Sequence, residues 1–299
     1  MIKTPSPIIL TSNNKNYFEI LINRQGYKVY SIYRGQDLVF RNLRKIWFKT
    51  NMPFPEIWYR RNIGKKYHGL YIVFDSLVTE DYLKWLTQKL NARMVFWYWN
   101  PVRNSIPPSE VSGYINEMWS YSPDDCKKYD LKYNSQFYFS SIALTKTEML
   151  YDVFFLGRDK GRLTELLELK QKFESLNLNV KFHIAPNQRQ YLKKERSYQK
   201  LISYDSALKE MARSRSILDI LGDPNDGLSL RALESLFHKR KLITNCTAIV
   251  NYDFYDSQNI FILGKDDISY LPEFLESSFK NIDPDIVSSY EFKNWINRF

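Results

Sequence analysis

Residues 216–245, SILDILGDPNDGLSLRALESLFHKRKLITN, constrain the fold more than any other stretch. Ile217, Leu218 and Ile220 form a short apolar run around Asp219. Gly222, Pro224 and Gly227 then break the chain. Ser229 follows as an N-cap, and Leu230, Leu233, Leu236 and Phe237 recur at helical spacing. Leu242 and Ile243 open the next strand. Strand, tight loop, helix and strand in succession are the building unit of a parallel sheet covered by helices. A loop ahead of a helix N-terminus offers free backbone N–H groups to an anion. Open α/β sheets bind ligands at such strand ends. Two acids flank the turn: Asp226 in the loop, and Glu234 about one and a half turns into a helix that starts near Ser229. One reading has Asp226 facing a sugar and Glu234 accepting hydrogen bonds from ribose hydroxyls. The other has a capping Asp and a solvent-facing helical Glu.

The same alternation runs through the rest of the chain. Pro7–Leu10 reads as a first strand, Tyr17–Ile22 as a helix ended by Gly26, and KVYSIYR as a second strand. The first loop, TSNNKN, lacks a glycine-rich fingerprint, which argues against a dinucleotide such as NAD. GLYIVFDSL and ARMVFWYWN are buried strands, and Thr79 caps the helix between them. Asp75 and Asn100 therefore fall at strand ends. Asp75 is a candidate general base, or a cap for the next element. YDVFFLGRDKGR restarts the pattern: Val153–Leu156 as a strand, Gly157 as a break, then Arg158, Lys160 and Arg162 ahead of a helix from Leu163. That cluster is either a diphosphate site, since arginine forks match phosphate oxygens, or surface charge. His183 lies inside the next strand as a core residue. The polar stretch 187–200 reads as a loop, and the tail VSSYEFKNWINRF as an amphipathic helix.

Charge narrows the partners. With 43 Lys and Arg against 33 Asp and Glu, the net charge of +10 points to anions. Residues 41–67 interleave eight cations with Trp47, Phe48, Phe54, Trp58 and Tyr59, and Glu56 is their sole acid. This stretch is a solvated basic face or a dock for an anionic membrane surface. RNA binding is a further option without a recognisable module behind it. Cys126 and Cys246 read as reduced thiols, and three scattered histidines make no metal site. The N-terminus lacks a signal peptide and no stretch of 18 apolar residues occurs, so a cytoplasmic protein is expected, free or peripheral on the membrane's inner face.

From YDVFFLGR through IFILGKDD the chain resembles the nucleotide-sugar domain of glycosyltransferases with the GT-B fold. As a whole it looks like bacterial proteins of lipopolysaccharide or capsule biosynthesis. The resemblance implies two Rossmann-like α/β domains facing each other across a cleft: 1–140 on the acceptor side, 141–280 for the nucleotide sugar, and 281–299 as a C-terminal helix bracing the first. It implies transfer of a sugar from a UDP- or GDP-linked donor to a glycan or lipid-linked acceptor without a metal, and for want of a recognisable binding module no nucleic-acid partner is expected. In retaining members seven residues separate a loop acid from a helix acid, which Asp226 and Glu234 match: the first by the donor sugar, the second on the ribose. Gly157 and Arg158 match a diphosphate-contacting pair, and Gly227, Ser229 and Leu230 a turn whose amides meet the distal phosphate. The loop acid is Asp where the family has Glu, the first glycine-rich loop is missing, and HKRK replaces a small glycine. A non-catalytic nucleotide-sugar or polysaccharide-binding partner of a larger transferase, an RNA-binding protein and an epimerase are the competing readings.

Overall fold

The computed structural model describes residues 5–13, 15–63, 67–187 and 196–299. The chain forms two compact units, Met1–Asn134 with Phe299, and Ser135–Arg298. The expected basic residues Lys65 and Lys66 and the loop segment 188–195 lie outside the described residues.

The first unit runs β1 (Ile8–Thr11), α1 (Tyr17–Arg24), β2 (Lys28–Ser31), α2 (Leu38–Lys49), β3 (Tyr71–Phe74), α3 (Glu80–Lys89), β4 (Met94–Tyr98), β5 (Glu117–Ser120), α4 (Pro123–Tyr129) and β6 (Lys132–Tyr133). Its strands are parallel in the order β2-β1-β3-β4-β5-β6. β1, β3 and β4 are buried along their whole length, because helices cover both faces and every side chain must be apolar or satisfied. Short side chains start the helices: Thr79 accepts from the Tyr82 N–H at 3.3 Å, and Ser122 from that of Asp125 at 3.2 Å. The chain builds outward from β1 to β2, then returns to add β3 on the other side. The point of reversal lies between β1 and β3.

The second unit runs β7 (Tyr151–Arg158), α5 (Leu163–Ser175), β8 (Val180–Ala185), α6 (Tyr204–Ala212), β9 (Ser214–Asp219), α7 (Leu230–His238), β10 (Lys241–Thr244), β11 (Ile260–Ile262), α8 (Leu271–Glu276), α9 (Pro284–Ser289) and α10 (Phe292–Ile296). Its parallel order is β11-β10-β9-β7-β8, so the reversal here lies between β7 and β9. Each unit is therefore a Rossmann-like α/β layer structure. β7 continues through Gly157, which pairs with Ile184, so this glycine does not break the strand. The ladder's hydrogen bonds outweigh the weak strand preference of a glycine.

The C-terminal helix, expected against the first domain, belongs to the second. Phe292 and Trp295 of α10 pack on Phe137 at ring-centroid distances of 5.0 and 4.4 Å. Burying such rings is worth roughly 1.5–3 kcal/mol apiece, and Phe137 and Phe139 offer the apolar surface for it. Only Phe299 joins the first unit, between Trp97 and Trp119 at 6.0 and 5.0 Å. Among the described residues no helix is long and apolar enough to cross a membrane.

Candidate functional site

Both reversal points carry chemistry, of opposite sign. In the first unit a cavity of ≈ 240 Å³ opens where β1, β3 and β4 end, lined by Thr11, Ser12, Asn16, Glu19, Asp75 and Asn100 among others. Asp75 follows β3 directly and is 4% exposed. Its Oδ2 accepts the Asn100 backbone N–H at 3.2 Å and that residue's side-chain amide at 3.3 Å. Burial raises the Asp75 pKa, and the hydrogen bonds from Asn100 oppose the rise only in part. Glu19, in the first turn of α1, reaches the same cavity. Its Oε1 accepts from Thr11 Oγ1 and Asn16 Nδ2, both at 3.3 Å. Its carboxyl is likewise pushed up by burial. The donors holding both acids are neutral, so each carboxylate sits poised to take a proton.

The expected base Asp75 is thus built into a cavity, and Glu19 is the partner that sequence reasoning missed. The available signal was local. Asn16 and Glu19 stand at the N-cap and third helical positions, a spacing that commonly ties a helix start together. Nothing in the pattern alone says that the pair would turn toward Asp75.

In the second unit β7 and β9 are neighbours, so the loops after Arg158 and after Asp219 lie side by side. Arg162 ties them: it donates to the carbonyls of Ile220, of Arg158 at 3.1 Å and of Asp159 at 3.3 Å. Asp159 caps α5 by accepting the Leu163 N–H at 2.8 Å and receives the Tyr198 hydroxyl at 2.8 Å. Arg158 spends one guanidinium N–H on the Pro186 carbonyl at 3.0 Å. Lys160 stands between them in a left-handed conformation, φ 50°. Burial depresses its pKa, Arg162 and Arg158 add to this, and Asp219 and Asp226 oppose it. That coupling puts Arg158, Asp226 and Lys160 in one electrostatic neighbourhood.

The helix start is wired to the sheet. Ser229 Oγ donates to Asp219 Oδ2 at 2.5 Å and accepts the Ala232 N–H at 3.2 Å. Asp219 is buried, which raises its pKa against the Ser229 hydrogen bond. Gly227 takes φ 82°, a turn that glycine makes without strain. Asp226 is half-buried, its own N–H on the Asp223 carbonyl at 3.0 Å. Leu230 opens α7. Arg158, Lys160, Asp226, Gly227 and Ser229 therefore gather at one end of the second sheet.

Glu234 turns inward from α7. It is fully buried, accepts the Tyr204 hydroxyl at 2.6 Å and pairs with Arg231. The Tyr204 hydroxyl meets that of Tyr138 at 2.8 Å, which in turn meets His238 Nε2 at 2.8 Å. Burial, then Arg240, lowers the His238 pKa to about 4. Both Glu234 oxygens are engaged in this internal network. Among the described residues no group of three or more His, Cys, Asp or Glu comes together as a metal site.

No family model matches the sequence, and no curated protein does. The fold is similar to that of an alpha-glucosyltransferase in complex with UDP and a 13-mer DNA containing a central A:G mismatch (TM-score 0.53, 10% identity, 98% of this chain and 92% of that one). It is equally similar to the DNA modifying enzyme beta-glucosyltransferase, solved in the presence and absence of uridine diphosphoglucose (TM-score 0.53, 15% identity, 98% of this chain and 97% of that one). At such identities the likeness is one of fold, and it supports the expected two-domain GT-B-like architecture. It also overturns the exclusion of nucleic acid. That exclusion rested on the want of a familiar binding module, and of these two proteins one is solved in complex with DNA and the other is a DNA modifying enzyme.

Proposed function

We propose that the protein is a nucleotide-sugar-dependent glycosyltransferase with DNA as its acceptor. The observation that carries this reading is the cavity at the first reversal point, where Asp75 and Glu19 are buried together on neutral donors. The likeness of fold to proteins solved with UDP, uridine diphosphoglucose and DNA supports the donor and acceptor classes. In this reading Asp75 takes the proton of an acceptor hydroxyl as that oxygen bonds to the anomeric carbon of the sugar. The bond from that carbon to the diphosphate breaks, and its electron pair leaves with the nucleotide. Arg158 and Lys160, with the amides that open α7 at Ser229 and Leu230, neutralise the departing charge. Asp226 lies by the sugar. Glu234, whose oxygens are engaged inside the second unit, holds the helix rather than the ribose.

Internal positions of ordinary DNA bear no free hydroxyl, so the acceptor carries one on a modified base. The test is incubation with label-bearing UDP- and GDP-sugars and a duplex containing hydroxymethylated bases. The expected result is labelled DNA and free nucleoside diphosphate in equal amounts. Binding of both partners without any transfer would instead leave a DNA-binding protein, the reading that the basic stretch from Arg41 supports by itself.

A further inference from the structure

We propose that the excursion between β2 and β3, helix α2 with the Met52–Phe54 tip, is the surface on which double-stranded DNA docks beside the Asp75–Glu19 cavity. The inference rests on DNA being the acceptor. The excursion leaves and returns at the C-terminal end of β2: the Arg34 N–H meets the Trp58 carbonyl and the Arg60 N–H the Ile32 carbonyl, each at 2.9 Å. Ser31, the last residue of β2, donates its hydroxyl to the Ser12 carbonyl at 3.1 Å, and Ser12 lines the cavity. The root of the excursion therefore stands at the cavity's edge.

The helix itself is held by one side only. Arg44 lies 4.3 Å over the Tyr33 ring, and Trp47 and Phe48 pack on Trp58 and Tyr33. The remaining faces are open. At 3.6 residues per turn, Arg41, Lys45 and Lys49 fall on one line along the helix at intervals of about 6 Å, and all three are exposed. Val39, Leu43 and Ile46 form the next face, with Ile46 61% exposed. From Arg34 to Arg61 the only acids are Asp37 and Glu56, and Asp37 is occupied in capping α2 through the Phe40 N–H at 3.0 Å.

Beyond α2 the chain turns sharply. Asn51 and Phe54 are both left-handed, φ 49° and 62°. The turn is held by the Met52 N–H on the Trp47 carbonyl and the Trp47 ring N–H on the Pro53 carbonyl, each at 3.1 Å. This fixed tip presents Phe54 to solvent, 66% exposed.

A straight row of cations answers a phosphodiester strand, whose condensed counterions are released on contact. Apolar side chains and a fixed ring next to that row suit a groove, where such wedges enter between base steps. A helix lying in a bilayer surface would carry cations on both flanks of its apolar stripe. Here one flank of the stripe is the face packed on Tyr33 and Trp58, where Arg44 is buried, and the exposed cations Arg41, Lys45 and Lys49 lie on the other side.

The test is the affinity of the full chain for a labelled duplex across a salt series, for wild type, for Arg41→Ser/Lys45→Ser/Lys49→Ser, and for Phe54→Ser. All four positions are exposed, so melting temperature and UDP affinity are expected to hold. The triple variant should lose roughly tenfold or more in DNA affinity, and its slope of log K against log salt should shrink by about 2.7, from three contacts at about 0.9 each. Phe54→Ser should weaken binding several-fold with the slope intact. Wild-type affinity and slope in both variants would overturn the surface while leaving DNA as acceptor. Failure of the wild type to bind duplex at low salt would overturn both. Loss of pelleting with phosphatidylserine vesicles in the triple variant, with DNA affinity unchanged, would overturn the proposal in favour of a lipid surface.

Discussion

The two sheets reverse at the same kind of place and carry opposite charge there. Where β1, β3 and β4 end, Asp75 and Glu19 are buried on amide and hydroxyl donors. Where β7 and β9 end, Arg158, Lys160 and Arg162 crowd together, with Asp219 drawn into the cap of α7. A parallel sheet supplies the position in both cases, and the side chains decide the chemistry done there. In the proposed function one end takes up a proton and the other holds an anion. Burial is not what separates them. Asp75 and Glu234 are both buried carboxylates. Asp75 meets neutral donors and its pKa rises; Glu234 meets Arg231 and becomes a structural tie.

The sharpest way to break this contrast is Asp75→Asn. Transfer is expected to fall about a thousandfold, within the range of a lost general base, with UDP affinity unchanged. The wild-type rate should fall on acidification through the raised Asp75 pKa. The stability effect has the opposite sign. A carboxyl whose folded pKa lies above its unfolded value stabilises fully below the unfolded value and loses that contribution as pH rises through the folded one. The Asn variant should therefore melt at or above the wild type at neutral pH. Full transfer by this variant would remove the proton-accepting role from the first sheet. Next in size is Glu234→Ala, which leaves Arg231 without its buried partner. A loss of about 3–4 kcal/mol in urea unfolding is expected; wild-type stability would mean that the internal tie is unimportant. Smallest is Arg158→Ala. It should lose about 2 kcal/mol of affinity for UDP, some thirtyfold, and none for uridine. Lys at this position should restore part of it, supplying charge without the fork. Equal losses for UDP and uridine by calorimetry would show that Arg158 does not read the diphosphate.

The alternation of strand and helix was legible because buried parallel strands are apolar runs and the helices have clear caps: β3, β4 and β9 and the caps at Thr79 and Ser229 stand where periodicity and capping put them. The orientation of single polar residues was less legible. Glu234 lies four residues after Leu230 and three before Phe237, on the buried side of α7, yet the habit of placing a helical Glu in solvent or in a cleft hid that. Its partner Tyr204 is 30 residues away, beyond the reach of spacing. Trp58 and Tyr59, read with the basic stretch, are core residues, since their rings pack with Trp47, Tyr82 and Trp85. Gly157 looked like a break because a lone glycine carries no record of the ladder on either side of it.

The pairing of Tyr138 with the segment Tyr290–Phe292 bears on how the molecule comes into being. The Tyr138 N–H meets the Tyr290 carbonyl, the Phe292 N–H meets the Tyr138 carbonyl, both at 2.9 Å, and the Trp295 ring N–H meets the Ser135 carbonyl at 2.7 Å. These bonds join residues about 150 positions apart, so the loop-closure entropy is met late. On a ribosome, the sheet bearing Asp75 has all its strands by residue 133 and is free to close early. The sheet bearing Arg158 has its first strand paired long before the segment that seals its flank has been synthesised. Its aromatic residues Phe137, Tyr138 and Phe139 must wait for Phe292 and Trp295, which makes that interval the one in which a chaperone would find the nascent chain.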